Sequence, residues 1–113
     1  MNNQDFAKLE LVLRMIAHLE RRLSRLSRAT FLADVDEIDL TAFRLMVIGE
    51  TSAKLSDSLK LRNANIDWPN IYGMRNVIAH DYDSVVPERL WAAYADDLAE
   101  LTAVCRLELQ RLD

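Results

Sequence analysis

Interruptions of regular backbone structure are rare in this chain, which has two glycines and two prolines among its 113 residues. Because glycine and proline are the strongest breakers of helices and strands, their scarcity favours long helices over many short strands joined by turns. Half of the residues are apolar, which is enough for a packed core, and the length suits one domain over residues 1–113. The expected fold class is therefore all-α.

The first predicted helix covers residues 5–29 and is amphipathic. Its apolar side chains recur at helical spacing: Leu9, Val12, Leu13, Ile16, Leu19, Leu23 and Leu26. The opposite side carries a basic stripe, which consists of Arg14, His18, Arg21, Arg22, Arg25 and Arg28. Such a stripe can be a face that is simply exposed to solvent. Alternatively, it can be a surface that binds the phosphates of a nucleic-acid backbone or docks a partner protein. The candidates for RNA or partner binding are Arg14, Arg21 and Arg25.

The second predicted helix covers residues 40–61 and follows an acidic connection over residues 33–39, in which Asp36 or Asp39 could cap it. Its apolar side chains point in nearly all directions, and a small domain has trouble covering such a helix alone. We therefore expect a homodimer interface through this helix. Glu50 lies among these apolar residues and is expected to be a buried, hydrogen-bonded structural carboxylate.

Two prolines mark the starts of the remaining predicted helices. Turn-forming residues over 62–68 precede Pro69, which suits the first turn of a third helix over about residues 69–81. Gly73 within that helix is expected to allow a close approach of another helix. A short link over residues 82–86 leads to Pro87, which begins a fourth helix that extends to about residue 111. Helices joined by such links predict an up-down bundle of the four-helix type.

Charge and residue content argue against several classes of protein. The formal net charge of −4 disfavours a general nucleic-acid binder, although an enzyme can hold RNA through a few local cations. Cys105 is the single cysteine, so no disulfide can form within the chain, and we interpret it as a core or interface residue rather than a nucleophile. The two histidines, His18 and His80, lie on different predicted helices and no zinc spacing occurs, so no metal or other cofactor is expected. No apolar run reaches the roughly 20 residues of a membrane span, and a cytoplasmic location is expected.

The segment from Gly73 to Tyr82 carries the residues best suited to chemistry. If it is helical, Arg75 and His80 are a little more than one turn apart, and their long side chains can converge at one end of the helix, with Tyr82 just beyond. An arginine offers a fixed cationic fork for phosphate oxygens, and a histidine can exchange a proton near neutral pH. The spacing alone is a weak signal, because these residue types often fall this close by chance.

The string Trp-Pro-Asn-Ile-Tyr-Gly-Met-Arg-Asn-Val-Ile-Ala-His-Asp-Tyr over residues 68–82 resembles the signature region of the HepT-like family in the HEPN superfamily. The core pattern of that family is Arg, four residues, His, any residue, Tyr, and it is matched by Arg75, His80 and Tyr82. Residues 47–51 resemble the family's Ile-Gly-Glu-Ala segment, except that Thr51 replaces the usual alanine. The likeness extends over most of the chain from about residue 40 onward.

This resemblance implies a HEPN-like helical homodimer that cleaves RNA without a metal. It implies Arg75, Asn76 and His80 as catalytic residues. It also implies that the chain is a toxin. The implied partner is a minimal nucleotidyltransferase antitoxin, which would inactivate the toxin by transferring AMP to Tyr82. RNA as the substrate, the antitoxin and the tyrosine modification come from the resemblance alone.

Two other functions remain open at this stage. Some HEPN domains assist a nucleotidyltransferase without cutting RNA, so the chain could be a non-catalytic binding module. It could also be a structural or regulatory dimer, in which Arg75 would pair with an acidic neighbour such as Asp81 or Asp83.

Overall fold

The computed structural model describes residues 3–112, and within that range the chain is helical with no strand. Seven α-helices are labelled in chain order: α1 Asn3–Leu23, α2 Arg28–Leu32, α3 Val35–Ala53, α4 Asp57–Arg62, α5 Trp68–His80, α6 Pro87–Ala92 and α7 Leu98–Leu112. A 3₁₀ turn, Tyr82–Ser84, follows α5, and a π-helical turn, Ala93–Asp97, joins α6 to α7. The all-α prediction is confirmed.

The prediction of a single helix over residues 5–29 is wrong at the C-terminal end. Helix α1 ends at Leu23, and a separate short helix, α2, follows. Ser27 caps α2 by accepting a hydrogen bond from the backbone N–H of Thr30 at 3.1 Å. A serine hydroxyl that competes for backbone amides favours a new helix start over continuation of the old one. The apolar spacing continues through Leu26, so periodicity alone could not reveal this break.

The second predicted helix is likewise two helices, α3 and α4. Asp34, rather than Asp36 or Asp39, caps α3 by accepting from the backbone N–H of Glu37 at 3.2 Å. Helix α3 therefore begins inside the segment predicted as a connection. Ser56 caps α4, and its hydroxyl also donates to the buried carboxylate of Asp5 at 2.6 Å. This bond joins the start of α4 to the first turn of α1.

The core is centred on α3, which packs against α1 on one side and α5 on the other, while α1 also packs against α7. The side chains of Leu9, Phe31, Leu90 and Cys105 are fully buried in this core, which confirms the interpretation of Cys105. Burial raises the pKa of the Cys105 thiol to about 12, because the thiolate would lose its hydration there.

A buried polar cluster fixes the junction between α4 and α7. Glu108 on α7 is almost fully buried and accepts hydrogen bonds from Arg62 at 2.6 Å and from the side-chain amide of Asn63 at 3.0 Å. Burial raises the pKa of Glu108, but these bonds outweigh it, so the net pKa lies below its usual range. Across residues 3–112, no helix is both long and apolar enough to cross a membrane.

Candidate active site

The segment that carries the predicted site is helix α5, and its start follows local rules. Asp67 caps the helix by accepting from the backbone N–H of Asn70 at 3.1 Å, and Pro69 lies in the first turn. The helix ends at His80, where the N–H of Asp81 donates to the carbonyl of Val77 at 2.9 Å. The predicted bounds of 69–81 are thus within one residue of the observed ones.

Arg75 lies at the centre of the site and contacts both of its predicted partners. Its Nη1 donates to Oδ1 of Asn76 at 2.9 Å and to Nε2 of His80 at 3.4 Å. The structure therefore brings together the three residues predicted to be catalytic. Asn76 and His80 are exposed, and the Arg75 side chain is 28% exposed. The site opens to solvent, where a large substrate could reach it.

Glu50 on α3 orients the guanidinium from behind. Its Oε2 accepts from Nε of Arg75 at 2.5 Å, and Lys54 lies 3.7 Å from the other oxygen. The expectation that Glu50 is hydrogen-bonded is confirmed, but the expectation that it is buried is wrong, since its side chain is 42% exposed. Because Nε and Nη1 are engaged, the Nη2 edge of Arg75 carries no hydrogen bond within the described residues and can bind a phosphate oxygen.

The close approach of α3 and α5 occurs at Gly49, next to Glu50. A methyl group placed on Gly49 would lie 2.6 Å from Cβ of Arg75 and 3.1 Å from the carbonyl oxygen of Ile71. The absence of a side chain at Gly49 thus lets the base of the Arg75 side chain rest against α3. The prediction that Gly73 provides close helix approach is wrong, because a methyl group there would meet nothing within 4 Å.

Tyr82 lies in the 3₁₀ turn after α5 and is 44% exposed. Its hydroxyl donates a hydrogen bond to Oδ1 of Asp39 on α3. This bond, with lesser contributions from burial and from the charge of Asp39, raises the pKa of Tyr82 to about 12. The phenol is protonated at neutral pH, and the Asp39 carboxylate already accepts a hydrogen bond from it.

Sequence reasoning missed Asp39 and Glu50 as members of the site, although a signal was available. The two residues are eleven positions apart, which is close to three full turns, so both carboxylates lie on one side of α3. That side faces α5 and the turn after it, where Asp39 holds Tyr82 and Glu50 holds Arg75. A pair of carboxylates at this spacing could have indicated that α3 supports the site.

The basic stripe predicted on the first helix is only partly present. Arg25 lies in the turn after α1, Arg28 lies in α2, and Arg22 pairs with the carboxylate of Glu37. Arg14 and Arg21 remain on α1, where Nη1 of Arg21 lies 3.0 Å from Nδ1 of His18.

Arg44 of α3, which sequence reasoning did not single out, adds a further cation beside this face. Its Nη1 atom is buried and has no hydrogen-bond partner within the described chain. Desolvation, followed by the charges of Arg21, Arg44 and Arg14, lowers the pKa of His18. Burial, followed by the charges of Arg21 and Arg22, also lowers the pKa of Arg44, so these cations are close enough to repel one another.

No group of three or more histidine, cysteine, aspartate or glutamate side chains suited to a metal ion occurs within residues 3–112. The candidate site combines one guanidinium, one imidazole, one amide and one phenol with the two supporting carboxylates of Asp39 and Glu50. These groups can bind a phosphodiester, exchange protons with it and accept a covalent modification.

Comparison with known proteins shows the family of the chain. The family model described as "Ribonuclease HepT-like" matches residues 12–107, which include every residue of the site. A curated relative from Caldanaerobacter subterraneus subsp. tengcongensis, named "Putative RNase TTE0752", is 25% identical over 103 residues, which cover 91% of this chain and 92% of the relative. The comparison with solved structures gives no significant match. Because the family model spans most of the chain, the protein belongs to the HepT-like ribonuclease family.

Proposed function

We propose that this protein is an endoribonuclease toxin that cleaves RNA without a metal ion. The observation that carries the proposal is the contact between Arg75 Nη1 and His80 Nε2 at 3.4 Å, on a surface where the Nη2 edge of the guanidinium is free. The pair combines a phosphate-binding cation with a proton-transfer group at one exposed place. Membership of a ribonuclease family supports RNA as the substrate.

The reaction uses the 2′-hydroxyl of the substrate as its nucleophile. The O2′–phosphorus bond forms and the phosphorus–O5′ bond breaks, which leaves a cyclic phosphate and a free 5′-hydroxyl. His80 accepts the proton of the 2′-hydroxyl, and Arg75 stabilises the negative charge that develops on the phosphorane oxygens. Asn76, which accepts from Arg75 at 2.9 Å, keeps the guanidinium oriented. The leaving oxygen needs a second proton donor, which the histidine of a second subunit would supply.

A homodimer is therefore part of the proposal. Helix α3 leaves Phe43 55% exposed, and Leu40 and Val47 on the same side are only partly covered. This apolar strip lies on the helix that also carries Asp39 and Glu50. Burial of the strip against a second copy would remove apolar surface from water and place the two sites near each other.

Tyr82 is the proposed point of regulation by a minimal nucleotidyltransferase antitoxin. In the transfer, the phenol oxygen bonds to the α-phosphorus of ATP, the bond to pyrophosphate breaks, and Asp39 accepts the phenol proton. The hydrogen bond from Tyr82 to Asp39 supports this route, because the acceptor is already in place. The attached AMP would place bulk and negative charge beside Arg75 and exclude an RNA phosphate by occlusion and repulsion.

Growth arrest and RNA fragmentation in cells test the nuclease proposal. We expect induction of the wild-type protein to arrest growth and to release RNA fragments, whereas His80→Ala and Arg75→Ala should do neither. Arg111→Ala, on the exposed side of α7 near its C-terminal end, is the control for loss of an arginine. If wild type and His80→Ala are equally harmless, the catalytic proposal fails and the non-catalytic binding module gains support.

Intact mass measurement after co-expression with the neighbouring nucleotidyltransferase tests the regulatory proposal. We expect one or more added AMP units that map to Tyr82, no addition in Tyr82→Phe, and unchanged addition in Tyr94→Phe. Unmodified wild-type protein in a non-toxic co-expression would contradict AMP transfer and indicate inhibition by tight binding.

The cations of Arg14, Arg21 and Arg25 are proposed to bind the RNA backbone, with Arg44 beside them. Their lack of carboxylate partners supports this role, because Arg22 nearby is neutralised by Glu37 while these four carry no ion pair within residues 3–112. Charge reversal of Arg21 should weaken RNA binding and reduce its dependence on salt. Unchanged RNA binding with loss of antitoxin binding would assign the cations to the partner.

The alternative in which the site is only a structural interface required Arg75 to pair with Asp81 or Asp83. Arg75 of α5 instead pairs with Glu50 of α3. Asp81 accepts a hydrogen bond from the hydroxyl of Ser84 at 2.7 Å. This arrangement leaves the guanidinium facing His80 and supports the catalytic interpretation.

A further inference from the structure

A groove of about 650 Å³ lies beside the candidate active site, between α5 and the segment that leads into α6. Its α5 wall includes Gly73, Met74 and Val77, and the facing wall includes Val85, Val86 and Arg89. The groove is open to solvent along its length. Nothing in the catalytic or regulatory roles proposed above uses it.

Gly73 has no structural reason to be a glycine. It lies within α5, its backbone does not adopt a positive φ, and a methyl group on it would meet no atom within 4 Å. A glycine inside a helix costs about 1 kcal/mol relative to alanine. At Gly49 the cost is explained by contact with Arg75, but at Gly73 no part of the chain occupies the vacant space. The vacant space belongs to the groove.

The groove begins next to His80, at the C-terminal end of α5. His80 is seven residues after Gly73, which is close to two full turns, so the two residues share one exposed side of the helix. Asp81, the residue that follows His80, lines the groove. Arg75 lies on the opposite side of α5 from Gly73, toward α3, so His80 is the member of the site that brings a bound phosphate near the groove.

The lining fits a planar group with polar edges better than it fits a phosphate. Met74, Val77 and Val86 offer apolar surface for a ring face. Asp67 and Asp81 each use one oxygen within the chain, toward the N–H of Asn70 and the hydroxyl of Ser84, and each retains a second oxygen as an acceptor. Those carboxylates repel a phosphate but accept hydrogen bonds from an exocyclic amine.

Arg89 supplies the complementary donor. It is exposed at the rim of the groove and forms no ion pair within the described part of the chain. A guanidinium there can donate to ring nitrogen or carbonyl acceptors on the edge of a base. The groove thus offers both acceptors and donors around an apolar surface, which matches the edges of an amine-bearing nucleobase.

We infer that this groove binds the nucleobase of the nucleotide next to the scissile phosphodiester, and that Gly73 keeps the space for it open. The inference rests on the proposed ribonuclease function and adds a base preference to it. A base with an exocyclic amine is favoured over uracil, which has none. The groove, rather than the Arg75–His80 pair, then determines where the RNA is cut.

Filling the groove tests this inference without disturbing the core. Gly73→Leu places a side chain in the vacant space, and Ala103→Leu, on the exposed side of α7, is the matched control. With a short RNA substrate, we expect Gly73→Leu to raise KM about tenfold or more, to change the preferred base at one position beside the cut, and to leave Tm equal or higher. Ala103→Leu should change none of these quantities.

Two results would overturn the inference while leaving the ribonuclease function intact. One is an unchanged KM and an unchanged profile of cut sites in Gly73→Leu, together with inactivity of His80→Ala. The other is a change of oligomeric state in Gly73→Leu, measured by light scattering, which would assign the groove to an interface between copies. If wild type itself cuts no RNA, both proposals fail together.

Discussion

Replacement of Gly49 by alanine should destabilise the protein, although alanine is normally the better residue inside a helix. The added methyl carbon would start 2.6 Å from Cβ of Arg75, whereas carbon atoms in contact are separated by about 3.5–4.0 Å. The backbone of α3 and the base of the Arg75 side chain are both fixed, so α5 must move away by about 1 Å.

The size of the effect is a difference between two opposing contributions. Overpacking of this kind lowers the free energy of unfolding by about 1–3 kcal/mol, whereas the change from glycine to alanine in a helix raises it by about 1 kcal/mol. Because the contact is between backbone-near atoms that cannot rotate away, we expect a net loss of about 1–2 kcal/mol in the free energy of unfolding. For a domain of this size, Tm should fall by about 5–10 °C.

Catalysis should suffer more than stability in Gly49→Ala. Displacement of a catalytic group by about 1 Å can cost about a hundredfold in rate, and the displaced residue here is Arg75. Thermal unfolding followed by circular dichroism and an RNA cleavage assay at a temperature where the variant is folded measure the two effects separately. Gly73→Ala is the matched control for thermal unfolding alone, since it should raise Tm by a few degrees.

The reasoning fails if Gly49→Ala unfolds at the same temperature as wild type or above it. That result would mean that α3 and α5 separate at no cost, and the packing argument for the position of Arg75 would be lost. A lower Tm with full cleavage activity would instead show that the orientation of Arg75 does not depend on this contact.

Three further predictions concern the charged and reactive groups of the site and core. Glu50→Gln should keep the fold but lower the cleavage rate about tenfold or more, because Arg75 loses its anchoring charge; equal rates in single-turnover cleavage would exclude this role. Asp39→Asn should bring the pKa of Tyr82 down from about 12 toward its ordinary value of 10, measured by ultraviolet titration with Tyr82→Phe as the reference. No downward shift would contradict the hydrogen bond. Cys105, whose thiol is fully buried with a pKa of about 12, should resist iodoacetamide in the native protein and react after denaturation.

Much of the fold could be predicted from the sequence, because the all-helical class of the chain and the start of α5 depend on local sequence rules. The scarcity of breakers indicated an all-helical chain, and Pro69 placed the start of α5 correctly. The breaks after Leu23 and Ala53 were missed because the apolar spacing continues through them, while the serines that cap the next helices are common residues with many other uses.

The members of the site that were predicted all lie on α5 or in the turn directly after it. Arg75 and His80 are linked by helical spacing, so their contact follows from α5 alone. The contacts of Arg75 with Glu50 and of Tyr82 with Asp39 join residues 25 and 43 positions apart, and such pairs depend on how α3 packs against α5. The close helix approach was predicted at Gly73 and occurs at Gly49 for the same reason, since only packing shows which glycine is crowded.

The π-helical turn Ala93–Asp97 has a consequence for how this chain tolerates insertions and deletions. Helix α6 packs on α2 and α3, whereas α7 packs on α1. The π-helical turn that joins α6 to α7 sets the angle between these two helices. The turn holds one residue more than a regular helix would, so a single-residue deletion inside it can restore a regular helix while Leu101, Cys105 and Glu108 keep their buried positions. A single-residue deletion in the regular part of α7 has no such surplus to remove, and it would rotate every later residue by about 100°. Deletions should therefore be tolerated far better inside this turn than in the helix that follows it.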